Sequence, residues 1–288
     1  MDQLGESLLE LIRLTACDLP PDVERVLAAA RDVELGRARS TLDWMLKNVA
    51  EARKMSLPIC QDTGTLIFYV EHGPDWLPAE FEKTAKLAVS EATSRSFLRP
   101  NAVDPISGKN SGNNLGPGSP YFHFSQHEQV GKLKVRLMLK GGGSENCGTQ
   151  YALPDNDLGA GRDLDGVKRC ILDAAFKAQG FGCAPGTLGV GIGGDRMTSF
   201  LESKEQLFRS LDDLNPDPLL AELEAEMKAK VNQLQIGPMG FGGLTTVLGV
   251  KIGTRYRLPA SYFVSVSYMC WAYRRRSLLI ADGQASYE

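Results

Sequence analysis

Three cysteines stand where a thiol could do chemistry as readily as pack. Cys60 lies in Ile59-Cys60-Gln61-Asp62-Thr63-Gly64, after an amphipathic pattern at 41–54 and before an apolar, β-branched run at 65–70. Cys183 sits in Gly182-Cys183-Ala184-Pro185-Gly186, and Cys270 opens Cys270-Trp271-Ala272-Tyr273-Arg274-Arg275-Arg276. Each adjoins Gly, Pro, Gln, Asp or Arg, and none lies on an apolar helical face. Singly, each fits a buried thiol in a tight turn as well as a reactive one. Together, three thiolates far apart in sequence can converge on a cuboidal iron–sulfur cluster, leaving one of its four irons without a protein ligand. An open metal position suits a Lewis-acid catalyst, whereas an electron carrier is better served by four cysteines. The arginine run reads as a solvated face, although guanidinium groups beside Cys270 would also stabilise a thiolate.

Other residues offer weaker signals. Lys140-Gly141-Gly142-Gly143-Ser144-Glu145-Asn146 exposes consecutive backbone N–H groups, as a flexible turn or as an anion-binding nest. It lacks the spacing of a Walker A loop. Arg99 stands at the mouth of a turn-rich segment, 97–114, and is either a surface cation or a carboxylate clamp. Gly189-Val190-Gly191-Ile192-Gly193-Gly194 satisfies the dinucleotide fingerprint formally. Its glycines fall inside a β-like run, however, and the acidic pair Asp212-Asp213 at the right distance closes a helix pattern, which argues against a nucleotide.

The elements that must position these residues are readable from periodicity. Leu8, Leu9, Ile12 and Leu14 mark a first helix; Pro20-Pro21 begins a second; Leu42, Met45, Leu46 and Val49 mark a third. Strands are expected at 65–72, 132–139, 244–252 and 262–269, and helices at 81–96, 163–179, 198–211 and 218–234. Cys170 adjoins the apolar face of its helix and reads as packing. The pattern implies an α+β fold with mixed or antiparallel sheets flanked by helices. Turn-rich breaks do not separate two cores, so a single domain spanning 1–288 is expected, with a disordered tail at 281–288.

Composition narrows the class. Of 288 residues, 43% are hydrophobic and 23% charged, with a net charge of −3, which disfavours nucleic-acid or anionic-membrane surfaces. No apolar window is long enough to span a membrane, and the acidic N-terminus does not read as a signal peptide. Six scattered cysteines without a C-x-x-C pair fit a reducing, cytoplasmic setting and not a disulfide framework or zinc ribbon.

Taken in order, the motifs around Cys60, the triple glycine, Cys183 with Val190-Gly191-Ile192-Gly193-Gly194, and Cys270 through Arg275 resemble the α subunit of class I iron–sulfur fumarate hydratase and L-tartrate dehydratase. The resemblance covers about residues 10–280. It implies a 4Fe-4S cluster held by Cys60, Cys183 and Cys270, with one iron not ligated by protein; Cys147 matches no ligand position. It also implies dicarboxylate contacts from Gln61, Asp62, Arg99 and Gly143, with Gln61 and Asp62 in catalytic roles. The implied chemistry is reversible addition of water to fumarate or a related hydroxy-dicarboxylate. The family's catalytic base lies on a β-type partner, and no region for that domain follows Arg276, so a β subunit and a homo- or hetero-oligomer are expected. The chain departs from the family at Leu258-Pro259-Ala260, where members often carry His-Pro-Ala.

Overall fold

The computed structural model describes residues 2–281 and 283–288. Along the chain run α1 (Gln3–Cys17), α2 (Pro21–Val33), α3 (Gly36–Met55), β1 (Thr65–His72), α4 (Pro78–Ser94), β2 (Tyr121–Gln126), β3 (Leu133–Lys140) and α5 (Gly142–Asn146). They are followed by β4 (Thr149–Ala152), α6 (Leu164–Ala178), β5 (Gly186–Gly193), α7 (Arg196–Gln206), α8 (Pro218–Asn232), β6 (Val247–Arg255), β7 (Phe263–Met269), β8 (Arg275–Ala281) and β9 (Gln284–Tyr287). The expected α+β class, with mixed sheets and flanking helices, is what forms.

Two compact units are present, each drawn from separated stretches. The first comprises residues 1–20, 47–142 and 274–288, and the second residues 21–46 and 143–273. Each has its own sheet and its own core.

The first unit holds a five-stranded sheet in the order β2-β1-β3-β8-β9. Its β1–β2 pair is parallel and the other pairs are antiparallel. Alternate residues Leu66, Phe68 and Val70 of β1 meet Leu133, Val135, Leu137 and Leu139 of β3 in a core closed by α1 and α4. Phe81 of α4 packs edge-on against Phe122 and Phe124 of β2. The tail expected to be disordered instead supplies β9, because Gln284–Tyr287 pairs along β8 and Tyr287 reaches the Ser7 carbonyl oxygen. Asp282, within that tail, lies outside the described residues. The arginine run is likewise not a solvated face. Arg274 is 1% exposed and Arg275 9%, because Arg275 and Arg276 enter β8 and pair against β3. Arg276 donates to the Leu19 carbonyl oxygen and to Asp18.

The second unit holds a four-stranded sheet in the order β4-β7-β5-β6, with β5–β6 parallel. Leu188, Val190 and Ile192 of β5 join residues of α6 and α8 in one core. The alternate positions Gly189 and Gly191 face α7, where a Cβ would strike the main-chain oxygens of Ser203 and Ser199. The glycine periodicity that mimics a nucleotide fingerprint therefore serves close packing of a helix on a strand. The helix after it, α7, is capped by Asp195, whose carboxylate accepts the Thr198 N–H in a capping box.

Cys170 is fully buried on α6, as its place on the apolar face implies. Burial, reinforced by Asp155 and Asp173, pushes its thiol from 9.0 to about 12. A raised folded-state value contributes stability that is intact below the unfolded thiol's value and is lost as pH climbs through the folded one. The melting temperature is therefore expected to fall between pH 9 and about 12, and Cys170→Ala to flatten that slope. Identical slopes for the two proteins would show that this thiol does not titrate in the unfolding transition.

Candidate active site

In the first unit, three sequence motifs interlock. Asp62 makes an Asx turn, its Oδ1 accepting the Gly64 N–H at 3.0 Å, while Oδ2 accepts the Gly142 N–H at 2.7 Å. Gly64, at φ +82°, lies so close to the Lys140–Gly141 peptide that a Cβ would come within 2.7 to 2.9 Å of its atoms. Only glycine fits that approach and that backbone angle. The buried Arg274 guanidinium donates from Nη1 to the Asp62 carbonyl oxygen at 2.8 Å. At the triple glycine, where the sequence leaves a flexible turn and an anion-binding nest both open, the Gly142 N–H is taken by the protein's own Asp62 carboxylate. Asp62 acts as a latch that closes the Cys60–Gly64 turn onto the end of β3.

A second set of bonds ties this turn to Arg99. The Thr63 hydroxyl donates to the Arg99 carbonyl oxygen at 3.3 Å and accepts from Asn101 Nδ2 at 3.0 Å. Asn114, buried at φ +63°, donates to that same carbonyl at 2.8 Å and accepts the Asn101 N–H at 2.7 Å. Thr63, Asn101 and Asn114 are positioning residues that the sequence reading missed. The polar run 110–114 carried the only signal, and it reads locally as turn formers. Gln61 and Arg99 themselves are exposed, with side chains available to solvent, and Cys60 is half-buried.

In the second unit, Cys183 follows α6 with a backbone φ of +55°, unusual for a non-glycine residue. Its carbonyl oxygen accepts the Trp271 N–H at 3.1 Å, which ties the Cys183 turn to the segment carrying Cys270. Gly182 and Gly186, on either side of Cys183, pack on the ring of Tyr268 with no room for a Cβ. Cys183 and Cys270 are both half-buried. Cys147, also half-buried, lines a cavity of about 590 Å³ with Gly143, Asn146, Lys177 and Phe181. In the 256–262 loop, where the family often has His-Pro-Ala, Arg257 donates to the carbonyl oxygens of Leu258, Pro259 and Ser261.

The expected site residues thus divide by unit: Cys60, Gln61, Asp62 and Arg99 in the first, Gly143, Cys183 and Cys270 in the second. None of the six cysteines forms a disulfide. Among the described residues, no three His, Cys, Asp or Glu side chains are placed to hold a single metal ion. A cuboidal cluster makes a different demand, because each cysteine binds a separate iron. The residues fit such a group in their chemistry. The donors are half-buried thiols, those of Cys60 and Cys183 in glycine-bearing turns, and the buried Tyr268 hydroxyl, packed against Gly182 and Gly186, has no hydrogen-bond partner among the described residues.

Comparison with known proteins places this architecture in a class. Residues 5–278 match the family described as Fumarate hydratase (Fumerase), and the chain belongs to that family. A Geobacillus stearothermophilus protein, provisionally named a class I fumarate hydratase, is 47% identical over 280 residues, covering 96% of this chain and 54% of its own length. The Escherichia coli K12 protein named L(+)-tartrate dehydratase subunit alpha is 30% identical over 282 residues, covering 97% of this chain and 91% of its own. The chain therefore spans about half the length of the Geobacillus relative and nearly all of the tartrate dehydratase subunit. Among the described residues, no helix is long and apolar enough to cross a membrane.

Proposed function

We propose that the chain is the cluster-bearing α subunit of a hydro-lyase that interconverts fumarate and malate, working with a separate β subunit in the cytoplasm. The observation that carries this is the interlocking of the Cys60 turn, the triple-glycine corner and Arg274 around Asp62, in a chain 47% identical to a protein named as a fumarate hydratase. Cys60, Cys183 and Cys270 would hold a 4Fe-4S cluster. When bound, that group supplies an iron open to substrate, a Lewis acid that makes a hydroxyl a better leaving group. The chain's own residues bind and orient the substrate.

Gln61 and Arg99, both exposed, offer an amide and a guanidinium to the two carboxylates of a small diacid. Fixing both ends removes rotational freedom before reaction. Gly143 contributes a backbone N–H. Asp62 holds the Cys60 turn in place and sets the position of Gln61 beside it. The proton-transferring base comes from the partner, as the length relationship supports: the Geobacillus relative extends well beyond the matched region, and the E. coli relative is named a subunit. The two units form one domain in this reading, since each is built from discontinuous stretches and neither is complete before the chain has returned to it.

L-tartrate is the second substrate to consider, because the chain covers 91% of the E. coli tartrate dehydratase subunit. Co-expression with a candidate β subunit, followed by anaerobic assay with fumarate and L-tartrate side by side, tests both. Turnover of fumarate is expected at full rate with the partner and about 10²- to 10⁴-fold below that level for the chain alone, the usual loss when a general base is missing. Exclusive turnover of L-tartrate overturns the choice of substrate. A chain that passes its cluster to an apo-protein and stays inactive with every partner is a scaffold instead.

A further inference from the structure

Tyr268 lies in β7, two residues before Cys270, and is 2% exposed. Its ring is clamped by the bare backbones of Gly182 and Gly186, where a side chain on either would collide with it. Cys183 stands between those two glycines, and the Trp271 N–H to Cys183 carbonyl bond holds both cysteine-bearing segments at the ring. Despite this burial, the Tyr268 hydroxyl has no hydrogen-bond partner among the described residues. The Gly186 N–H beside it donates to the Thr246 carbonyl oxygen.

A buried hydroxyl left unsatisfied is destabilising, and phenylalanine would fill the same space without that cost. Its retention at the centre of two glycine clamps points to an acceptor that the polypeptide does not supply. The segments packed around the ring are those that carry Cys183 and Cys270. We propose that the Tyr268 hydroxyl donates a hydrogen bond to a sulfur at the cluster site, a thiolate of Cys183 or Cys270 or an inorganic sulfide, and so raises the cluster's reduction potential. This rests on the cluster reading above. Hydrogen bonds to sulfur favour the more electron-rich state and are a main determinant of such potentials.

The test compares anaerobically reconstituted wild-type chain with Tyr268→Phe. Removing one neutral hydrogen bond is expected to shift the equilibrium between oxidised and reduced cluster by about 2- to 10-fold toward the oxidised form, read as a lower midpoint potential in a redox titration. The metal-free variant should melt at the same temperature as metal-free wild type, or higher, because an orphaned hydroxyl has been removed. Equal potentials overturn the proposal, and so does a metal-free variant that melts lower, which would reveal a partner within the protein. Failure of the wild-type chain to take up iron overturns the cluster reading and this proposal with it, so the two failures are distinguishable.

Discussion

Replacing Cys60, Cys183 or Cys270 by serine is expected to reduce bound iron from about four per chain to near zero after anaerobic reconstitution, while Cys147→Ser retains it. A cluster held by three protein ligands would have no redundancy, and a serine hydroxyl at neutral pH does not replace a thiolate. Activity of the assembled enzyme should fall by about 10³-fold or more, since Lewis-acid polarisation supplies several kcal/mol of transition-state stabilisation. The Cys147 arm is the sharper one. Cys147, Cys183 and Cys270 all lie half-buried in the second unit, so placement there does not single out two thiols from three. A ligand set of Cys147, Cys183 and Cys270 would reverse the pattern: Cys60→Ser would keep iron and Cys147→Ser would lose it. Iron and sulfide analysis of the four variants decides between the sets.

The second large effect is expected at Asp62. Its carboxylate accepts two backbone N–H groups, at 3.0 and 2.7 Å, from opposite sides of the gap between the Cys60 turn and the triple-glycine corner. Hydrogen bonds to a charged group contribute about 1.5–3 kcal/mol each. Asp62→Ala removes both, and we expect a loss of about 3 kcal/mol in metal-free stability together with poor cluster retention. Asp62→Asn keeps one acceptor oxygen and should fall midway. Urea unfolding of the metal-free proteins separates a latch from a purely substrate-facing role. If Asp62→Ala unfolds at the wild-type urea concentration and loses only turnover, the carboxylate serves the substrate and not the turn.

The contrast between legible and illegible parts follows from range. Amphipathic helices announce themselves over one or two turns, and the helices expected at 163–179 and 218–234 form as α6 and α8, capped by the carboxylates of Asp163 and Asp217. The Asp62 turn is local as well, since the Asx bond spans two residues. What closes it is not: Gly142 is 80 residues away and Arg274 is 212. Strand β2 escaped notice because Tyr121-Phe122-His123-Phe124-Ser125-Gln126 is polar on one face and follows a long run of turn formers. Its other face is aromatic and packs on Phe68 and Phe81. Strand β8 escaped notice for the opposite reason, because three arginines read as solvent-facing. Their burial depends on acceptors such as the Asp62 and Leu19 carbonyls, which no local pattern reveals. Thr63, Asn101 and Asn114 are polar residues of ordinary appearance whose importance lies in shared hydrogen bonds across a 38-residue separation.

The most direct test of the account is a Mössbauer spectrum of the chain reconstituted with ⁵⁷Fe, recorded before and after adding L-malate. Three thiolates on a four-iron cluster predict that one iron in about four changes its signal on addition while the others stay as they were. A spectrum in which no iron responds to the diacid, or a chain that binds no iron in the presence of sulfide, would contradict the account.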